Sequence, residues 1–185
     1  GGLDKLYHSN GKNEIVNWSD RLECTTGQMG GLPDVNTENK DFQDYFIKYL
    51  NECIACGADG FRYDTAKHIG LPSDPTDEKS EKNNFWERVT TEIDDADSIF
   101  NYGEVLQSDG EKIEEYQKAI GATTASAYGE AVRNAITSRK LSAAALTDLK
   151  INVDDPTAVT WVESHDNYCN DGTASSLSDK QVILG

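Results

Sequence analysis

Segments with the period of a β-strand alternate with segments with the period of an α-helix along most of this 185-residue chain. A strand places successive side chains on opposite faces, whereas a helix repeats its apolar face every three or four residues. Strands are predicted at 58–64, 98–106 and 158–163, and a further pattern compatible with a strand covers 123–128. Helices are predicted at 38–56, 84–96, 111–119, 130–138 and 141–150. This alternation predicts parallel crossover units and an α/β fold.

Three of the predicted strands share one property, because an ionisable residue lies at the C-terminal end of each or just beyond it. These residues are Asp64, Glu104 and the pair His165 and Asp166. In a (β/α)8 barrel that edge of the sheet carries the active site, so separate strands can deliver groups to one point. An open doubly wound sheet also fits the alternation, but the sequence contains no G-x-G-x-x-G phosphate loop. The barrel is therefore the preferred prediction.

The charge of the chain excludes some partners. Asp and Glu number 33 against 17 Lys and Arg, which gives a formal net charge of -16. Nucleic acid binding needs a basic surface, so nucleic acid is not expected as a partner. No apolar run approaches the roughly 20 residues that span a bilayer, and no membrane partner is expected. The first residues show no signal peptide pattern, and the acidic charge is explained by solubility.

Three carboxylates at one sheet edge suit the cleavage of a glycosidic bond. One must stay ionised to attack the anomeric carbon, and another must carry the proton for the leaving oxygen. Arg62 lies two residues before Asp64 and on the same face of the strand, and a guanidinium within ~4–6 Å favours a charged carboxylate. Asp64 is therefore the candidate nucleophile. Glu104 has no cation near it in the chain, and an apolar setting favours the protonated form that a general acid needs.

Each of these residues also has an ordinary explanation. Arg62 and Asp64 can form a structural ion pair, and Glu104 can be an exposed side chain. His165 and Asp166 can offer hydrogen bonds to sugar hydroxyls or be an incidental dipeptide. An acidic calcium-binding module would explain the charge, but the sequence has no D-x-[DN]-x-[DN]-G loop. The occurrence of acids at three strand ends favours the catalytic interpretation.

Four segments resemble the signature segments of the α-amylase family, glycoside hydrolase family 13. GFRYDTAKH (60–68), YGEVL (102–106) and WVESHDN (161–167) are similar to the second, third and fourth signatures. LPDVN (32–36) is similar to an additional short segment near the end of domain B, and the likeness is strongest to secreted bacterial α-amylases. The resemblance runs over nearly the whole chain.

The resemblance implies a role for each acid. Asp64 matches the catalytic nucleophile, Glu104 the general acid/base, and Asp166 the third acid that stabilises the transition state. Arg62 matches the arginine that supports the nucleophile. The family retains the anomeric configuration through a covalent glycosyl-enzyme, so the carboxyl groups of Asp64 and Glu104 are expected about 5–5.5 Å apart.

The resemblance also implies substrate and metal contacts. Lys67 and His68 match residues that line the site on the leaving-group side, and His165 matches a histidine that contacts sugar hydroxyls. The family has a structural Ca²⁺, for which Asp34 matches the carboxylate ligand and the backbone carbonyls of Thr25 and His68 match two others. Calcium prefers such oxygen donors.

The position of the motifs implies a partial (β/α)8 TIM barrel, about strands four to seven, preceded by the end of an inserted domain B. Residues 1–37 are assigned to domain B and the return to the barrel, and residues 38–185 to the barrel, truncated at both ends. The first family signature, with a histidine and a further calcium ligand, is expected before this chain. Part of a barrel leaves unpaired strand edges, so the isolated polypeptide is expected to fold poorly and to be inactive.

The function implied by the resemblance is that of an endo-acting α-amylase, a retaining glycoside hydrolase that cleaves α-1,4 bonds in starch and malto-oligosaccharides. A related transglycosylase or α-1,6-glucosidase shares the three acids and remains an alternative. A non-catalytic carbohydrate-binding relative is disfavoured because Asp64, Glu104 and Asp166 are all present. The full-length parent is expected to be secreted and monomeric.

Overall fold

Four short parallel strands, adjacent in the order in which they occur along the chain, form the sheet of this protein. The structure is a computed structural model that describes residues 3–106, 112–140, 149 and 151–169. The strands are β1 (Gly60–Tyr63), β2 (Phe100–Gly103), β3 (Thr123–Thr124) and β4 (Ala158–Val159). Parallel neighbours need crossover connections, so the predicted α/β organisation is confirmed.

Helices connect the strands and also precede them. They are α1 (Arg21–Thr26), α2 (Lys40–Ala55), α3 (Phe85–Thr91), α4 (Ile113–Ile120), α5 (Ser126–Thr137) and α6 (His165–Cys169), with short 3-10 turns at Leu3–Lys5, Ala66–His68 and Ala96–Ser98. Within the described ranges, no helix has the length and apolar content that crossing a bilayer requires.

The register of β1 and β2 determines which residues lie side by side where the two strands end. Gly60 pairs with Phe100 and Arg62 with Tyr102, so the residues that follow the two strands lie side by side. Gly60 is required at this pairing, because a Cβ atom there would lie 2.3 Å from the carbonyl oxygen of Phe100. The close approach of the two strands therefore depends on a glycine at the start of β1.

The alternation of β1 divides its side chains between the core and the solvent. Phe61 and Tyr63 face inward, and the Tyr63 ring meets the Trp86 ring edge to face with centroids 5.2 Å apart. The core also includes buried apolar side chains from helices α2 to α4 and from the loops and turns between elements: Leu50, Ala66, Leu71, Phe85, Val89, Ile93, Val105, Tyr116 and Ile120. Arg62 points the other way, as the sequence predicted.

The last two strands are shorter than their sequence patterns. The pattern at 123–128 ends as a strand at Thr124, because α5 begins at Ser126. The predicted strand at 158–163 pairs only over Ala158–Val159, since its partner β3 has already ended. The helix predicted at 141–150 falls outside the described residues except for Leu149.

The segment before α2 is held by isolated bridges and one helix. Tyr7 pairs with Val35 and Glu14 with Gln28 as single bridges, which agrees with the predicted loops and short strands. Helix α1 was not predicted because its six residues are too few to show periodicity. It begins after Asp20, whose carboxylate accepts the backbone N–H of Glu23.

A buried carboxylate connects this early segment to the region of α4. The side chain of Asp74 is fully buried and accepts from Arg21 of α1 at 3.1 Å (Nε) and 2.7 Å (Nη2). Lys112, directly before α4, lies 2.8 Å from the same carboxylate, and the backbone N–H of Leu71 donates to it at 2.9 Å. Two cations and one amide thus stabilise the charge of Asp74.

The acid stability of the protein should depend on Asp74. Burial acts to raise the pKa of Asp74, but the hydrogen bonds from Arg21, Lys112 and Leu71 outweigh it, and the pKa lies below the ordinary value. The folded-state pKa is below the unfolded-state one, so the stabilisation is present above pH ~4 and is lost as pH falls further. Asp74→Asn is expected to lower the free energy of unfolding at neutral pH by about 3–5 kcal/mol and to flatten its decline below pH ~4.

The measurement is urea unfolding of the complete protein that carries this chain, at neutral and acidic pH, with the exposed Asp59→Asn as the control. An unchanged pH slope in Asp74→Asn would show that this carboxylate is not responsible.

Candidate active site

One guanidinium joins two of the three predicted acids. The Nη1 atom of Arg62 lies 2.6 Å from Oδ1 of Asp64, and its Nη2 atom lies 3.2 Å from Oε1 of Glu104. The contact follows from the register, since Arg62 is opposite Tyr102 and each acid comes directly after its strand. The structure therefore brings Arg62, Asp64 and Glu104 together at the C-terminal edge of the sheet.

Glu104 is held by the chain that follows β1. Its Oε2 atom accepts the backbone N–H of Thr65 at 3.0 Å, and its backbone oxygen accepts the N–H of Ala66 at 3.0 Å. Thr65 has a φ of +43°, a left-handed conformation that a β-branched residue seldom adopts. The sequence predicted that Glu104 lies in an apolar setting without a cation. This prediction was wrong, because the parallel pairing of β1 and β2 places Arg62 of the neighbouring strand beside Glu104.

A cavity of about 260 Å³ opens at this edge beside Glu104. The Glu104 side chain is 14% exposed, whereas that of Asp64 is 69% exposed. The residues that line the cavity come from β2, β3, β4 and the segments after them, together with Arg62: Arg62, Tyr102, Glu104, Thr124, Val159, Trp161, Glu163, Ser164 and His165. The cavity combines aromatic surface with a few polar and charged groups, as small-molecule sites commonly do.

His165 and Asp166 lie further along the chain from the end of β4 than the sequence predicted. His165 and Asp166 begin α6, several residues after β4 ends at Val159. His165 lines the cavity, but Asp166 is not among the residues that line it, and neither is Asp64. The Nε2 atom of His165 lies 3.6 Å from Oδ1 of Asp166, beyond the usual length of a hydrogen bond.

Six residues of the cavity had no assigned role in the sequence analysis, and Tyr102, Trp161 and Glu163 have the largest side chains among them. Tyr102 precedes Glu104 by two positions, and Glu163 precedes His165 by two, so same-face spacing was the available signal. Trp161 is fixed by α5, because the guanidinium of Arg133 lies 5.8 Å from its ring centroid and donates to the carbonyl of the next residue, Val162. Glu163 adds a second carboxylate to the lining of the cavity, after that of Glu104.

Lys67 and His68 lie on the turn that follows Asp64. The ring of His68 contacts the carbonyl of Cys24 through Nδ1 at 2.9 Å and meets the ring of Trp18 at 5.7 Å. Burial lowers the pKa of His68, so its ring is neutral at pH 7. The backbone carbonyl of Lys67 accepts from Arg21 and Tyr116. Neither residue lines the cavity beside Glu104.

The three predicted calcium ligands lie in one neighbourhood. Thr25 is next to Cys24, whose carbonyl contacts the His68 ring, and the charge of Asp34 is close enough to affect His68. Burial raises the pKa of Asp34, and a hydrogen bond to His8, 2.5 Å long, opposes this. A carboxylate and two carbonyl oxygens fit the donor preference of calcium.

His8 supports this region by bridging two acids. Its Nε2 atom lies 2.8 Å from Glu38, and its other ring nitrogen contacts Asp34. Burial disfavours the charged imidazole, but the two carboxylates outweigh it and raise the pKa of His8 to about 9. No cluster of three or more His, Cys, Asp or Glu side chains suited to a metal occurs in the described part of the chain. The predicted calcium ligands do not form such a cluster, because only one of them is a side-chain carboxylate and the other two are backbone carbonyls.

Comparison with known proteins extends the resemblance. The sequence profile of the α-amylase catalytic domain matches residues 25–177. An α-amylase from Butyrivibrio fibrisolvens is 44% identical over 100% of this chain, which covers 21% of that protein. An α-amylase from Clostridium acetobutylicum is 36% identical over 97% of this chain, which covers 23% of that protein. The chain thus spans between a fifth and a quarter of these relatives.

Solved structures show the same fold. Wild-type α-amylase I from Eisenia fetida superposes with a TM-score of 0.67 over 97% of this chain and 37% of its own, at 20% identity. An Anoxybacillus α-amylase superposes with a TM-score of 0.55 over 70% of this chain and 26% of its own, at 29% identity. The four parallel strands therefore form part of a TIM barrel, as predicted. This chain belongs to the α-amylase family, as part of its catalytic domain.

Proposed function

We propose that the protein carrying this chain is an endo-acting α-amylase that hydrolyses α-1,4 bonds in starch and malto-oligosaccharides with retention of configuration. The observation that best supports this proposal is the contact of the Arg62 guanidinium with the carboxylates of Asp64 and Glu104 at the C-terminal edge of the sheet. A variant of the Eisenia fetida α-amylase was solved with maltohexaose, and a Geobacillus thermoleovorans α-amylase with acarbose. These ligands support the substrate class.

In the first step, Asp64 attacks the anomeric carbon. The bond to the leaving oxygen breaks as Glu104 donates its proton to that oxygen. In the second step, Glu104 takes a proton from water, which attacks the same carbon and releases Asp64. Arg62 supports this assignment because its shorter contact, 2.6 Å, is with Asp64, the carboxylate that must remain an anion.

The exposures of the two acids support the division of roles. Asp64 is 69% exposed on its side chain, so its oxygen is open to an incoming sugar. Glu104 is 14% exposed and lines the cavity, so its carboxyl can reach the leaving oxygen of a sugar bound there. A proton donor needs this position beside the leaving group.

The remaining assignments concern substrate contacts and the whole protein. Asp166 is proposed as the third acid, beside His165, which lines the cavity and reaches sugar hydroxyls. Lys67 and His68 are proposed to contact the sugar on the leaving-group side. We also propose that residues 1–37 belong to domain B. The complete protein is proposed to be secreted and monomeric.

A structural calcium ion is proposed at Thr25, Asp34 and His68. These residues come from α1, the segment before α2 and the turn after β1. When bound, the cation supplies a cross-link among three segments that are distant in sequence. The contact of the His68 ring with the Cys24 carbonyl already holds two of these segments together.

Replacement of Glu104 tests the proposed function. Glu104→Gln removes the proton donor while keeping the size of the side chain, and turnover of soluble starch is expected to fall by about 10²–10⁴-fold. Proton NMR of fresh wild-type product should show the α-anomer first, since two inversions restore the original configuration.

The matched control is Glu114→Gln, the same change on the exposed face of α4. It should keep wild-type turnover, and circular dichroism should show that both variants fold. Near-normal turnover by Glu104→Gln, or release of the β-anomer, would contradict the proposed mechanism.

Removal of calcium tests the metal proposal. A chelator is expected to lower the melting temperature of the complete protein, because a ligand at 100 times its Kd stabilises the folded state by about 2.7 kcal/mol. Asp34→Asn should weaken calcium binding measured by calorimetry and abolish most of the chelator effect. Asp97→Asn, an exposed aspartate, is the control. A chelator effect that persists in Asp34→Asn would place the ion elsewhere.

A further inference from the structure

The turn that carries Lys67 and His68 is held by side chains from distant parts of the chain. The hydroxyl of Tyr116, on α4, lies 2.9 Å from the carbonyl oxygen of Lys67 and 3.0 Å from that of Ile69. The Nη1 atom of Arg21, on α1, donates to the same Lys67 carbonyl at 3.2 Å. Two donors therefore converge on the backbone beside the proposed substrate contacts.

Arg21 and Tyr116 also orient each other. The Nη2 atom of Arg21 donates to the Tyr116 hydroxyl at 2.6 Å, so this hydroxyl accepts from Arg21 while its single proton is shared between the two carbonyls of the turn. The Tyr116 side chain is completely buried. Asp74 binds Arg21 through two nitrogens, which fixes the plane of the guanidinium. Each donor to the turn thus has little freedom of its own.

The two ends of the turn are fixed as well. At its start, Glu104 accepts the backbone N–H of Thr65, and at its end Asp74 accepts the N–H of Leu71. The side chain of Asn83 donates to the Leu71 carbonyl at 3.0 Å. The network therefore connects a proposed catalytic acid, Glu104, to the turn and to the Arg21 and Asp74 pair.

We infer that Tyr116 and Arg21 are positioning residues for carbohydrate binding, and that they act by holding the Lys67 carbonyl so that Lys67 and His68 meet the sugar on the leaving-group side. This inference rests on the proposed function. A turn held in its binding geometry before substrate arrives loses little entropy on binding. Loosening it should therefore weaken substrate binding more than it slows the chemical step at Asp64 and Glu104.

Tyr116→Phe tests the inference because it removes only the hydroxyl. KM for a malto-oligosaccharide is expected to rise roughly 3- to 10-fold, the factor that loss of the hydrogen bond from Tyr116 to the turn represents, with kcat changed less than about twofold. A merely structural role would lower the amount of folded enzyme and leave KM unchanged. Tyr63→Phe is the matched control, since the buried Tyr63 hydroxyl donates to Asn101 at 3.1 Å, away from the turn.

Arg21→Lys provides a second test, because a lysine can keep an ion pair with Asp74 but cannot contact Tyr116 and Lys67 as well. Its KM should rise like that of Tyr116→Phe. Arg88→Lys is its control, since Arg88 pairs with Asp44 on α2 and with Glu92, directly after α3. Unchanged KM in both test variants, or an equal rise in the controls, would overturn the inference.

Hydrogen exchange of the amides in the turn tests the role of Tyr116 without depending on catalytic activity. The amides of His68, Ile69 and Leu71 are hydrogen-bonded in the turn and should exchange faster in Tyr116→Phe than in wild type or Tyr63→Phe. If wild type fails to hydrolyse starch, the proposed function is wrong, and the exchange of these amides still decides whether Tyr116 holds the turn. Unchanged exchange would overturn the positioning role regardless of activity.

Discussion

The contact of one guanidinium with two carboxylates is the interaction on which the account of this site depends. Arg62 reaches Asp64 on its own strand and Glu104 on the next, because β1 and β2 are parallel and pair in a register that ends both at the same level. A shift of one residue would turn one of these side chains to the core. Gly60 secures that register by allowing the close approach of the strands.

The turn after β1 extends this arrangement to the rest of the molecule. It is bound to Glu104 at Thr65, to α4 through Tyr116, and to α1 through Arg21. Helix α1 precedes the sheet in the chain by more than thirty residues, and the buried carboxylate of Asp74 holds it there. The segment before α2 is thus part of the network that holds this turn, and under the proposed function a change in it alters substrate binding.

The sequence predicted those parts of the fold that depend on local pattern. Helix α2, expected at 38–56, covers Lys40–Ala55 because Asn39 caps it. The inward and outward faces of β1 followed from alternation alone. The length of β4 could not be predicted, because it depends on where its partner β3 ends. The contact of Arg62 with Glu104 was also missed, since pairing between strands far apart in the chain leaves no local signal.

Identification of the residue that becomes glycosylated tests whether Asp64 is the nucleophile. A slow-reacting α-glycosyl fluoride, incubated with the complete protein, loses fluoride as the nucleophilic carboxylate bonds to the anomeric carbon, and peptide mass spectrometry then locates the sugar. We predict a single label on the peptide containing Asp64, because Arg62 contacts that carboxylate at 2.6 Å and the same guanidinium contacts Glu104, the proposed proton donor. A label on Glu104, Glu163 or Asp166 would contradict the account.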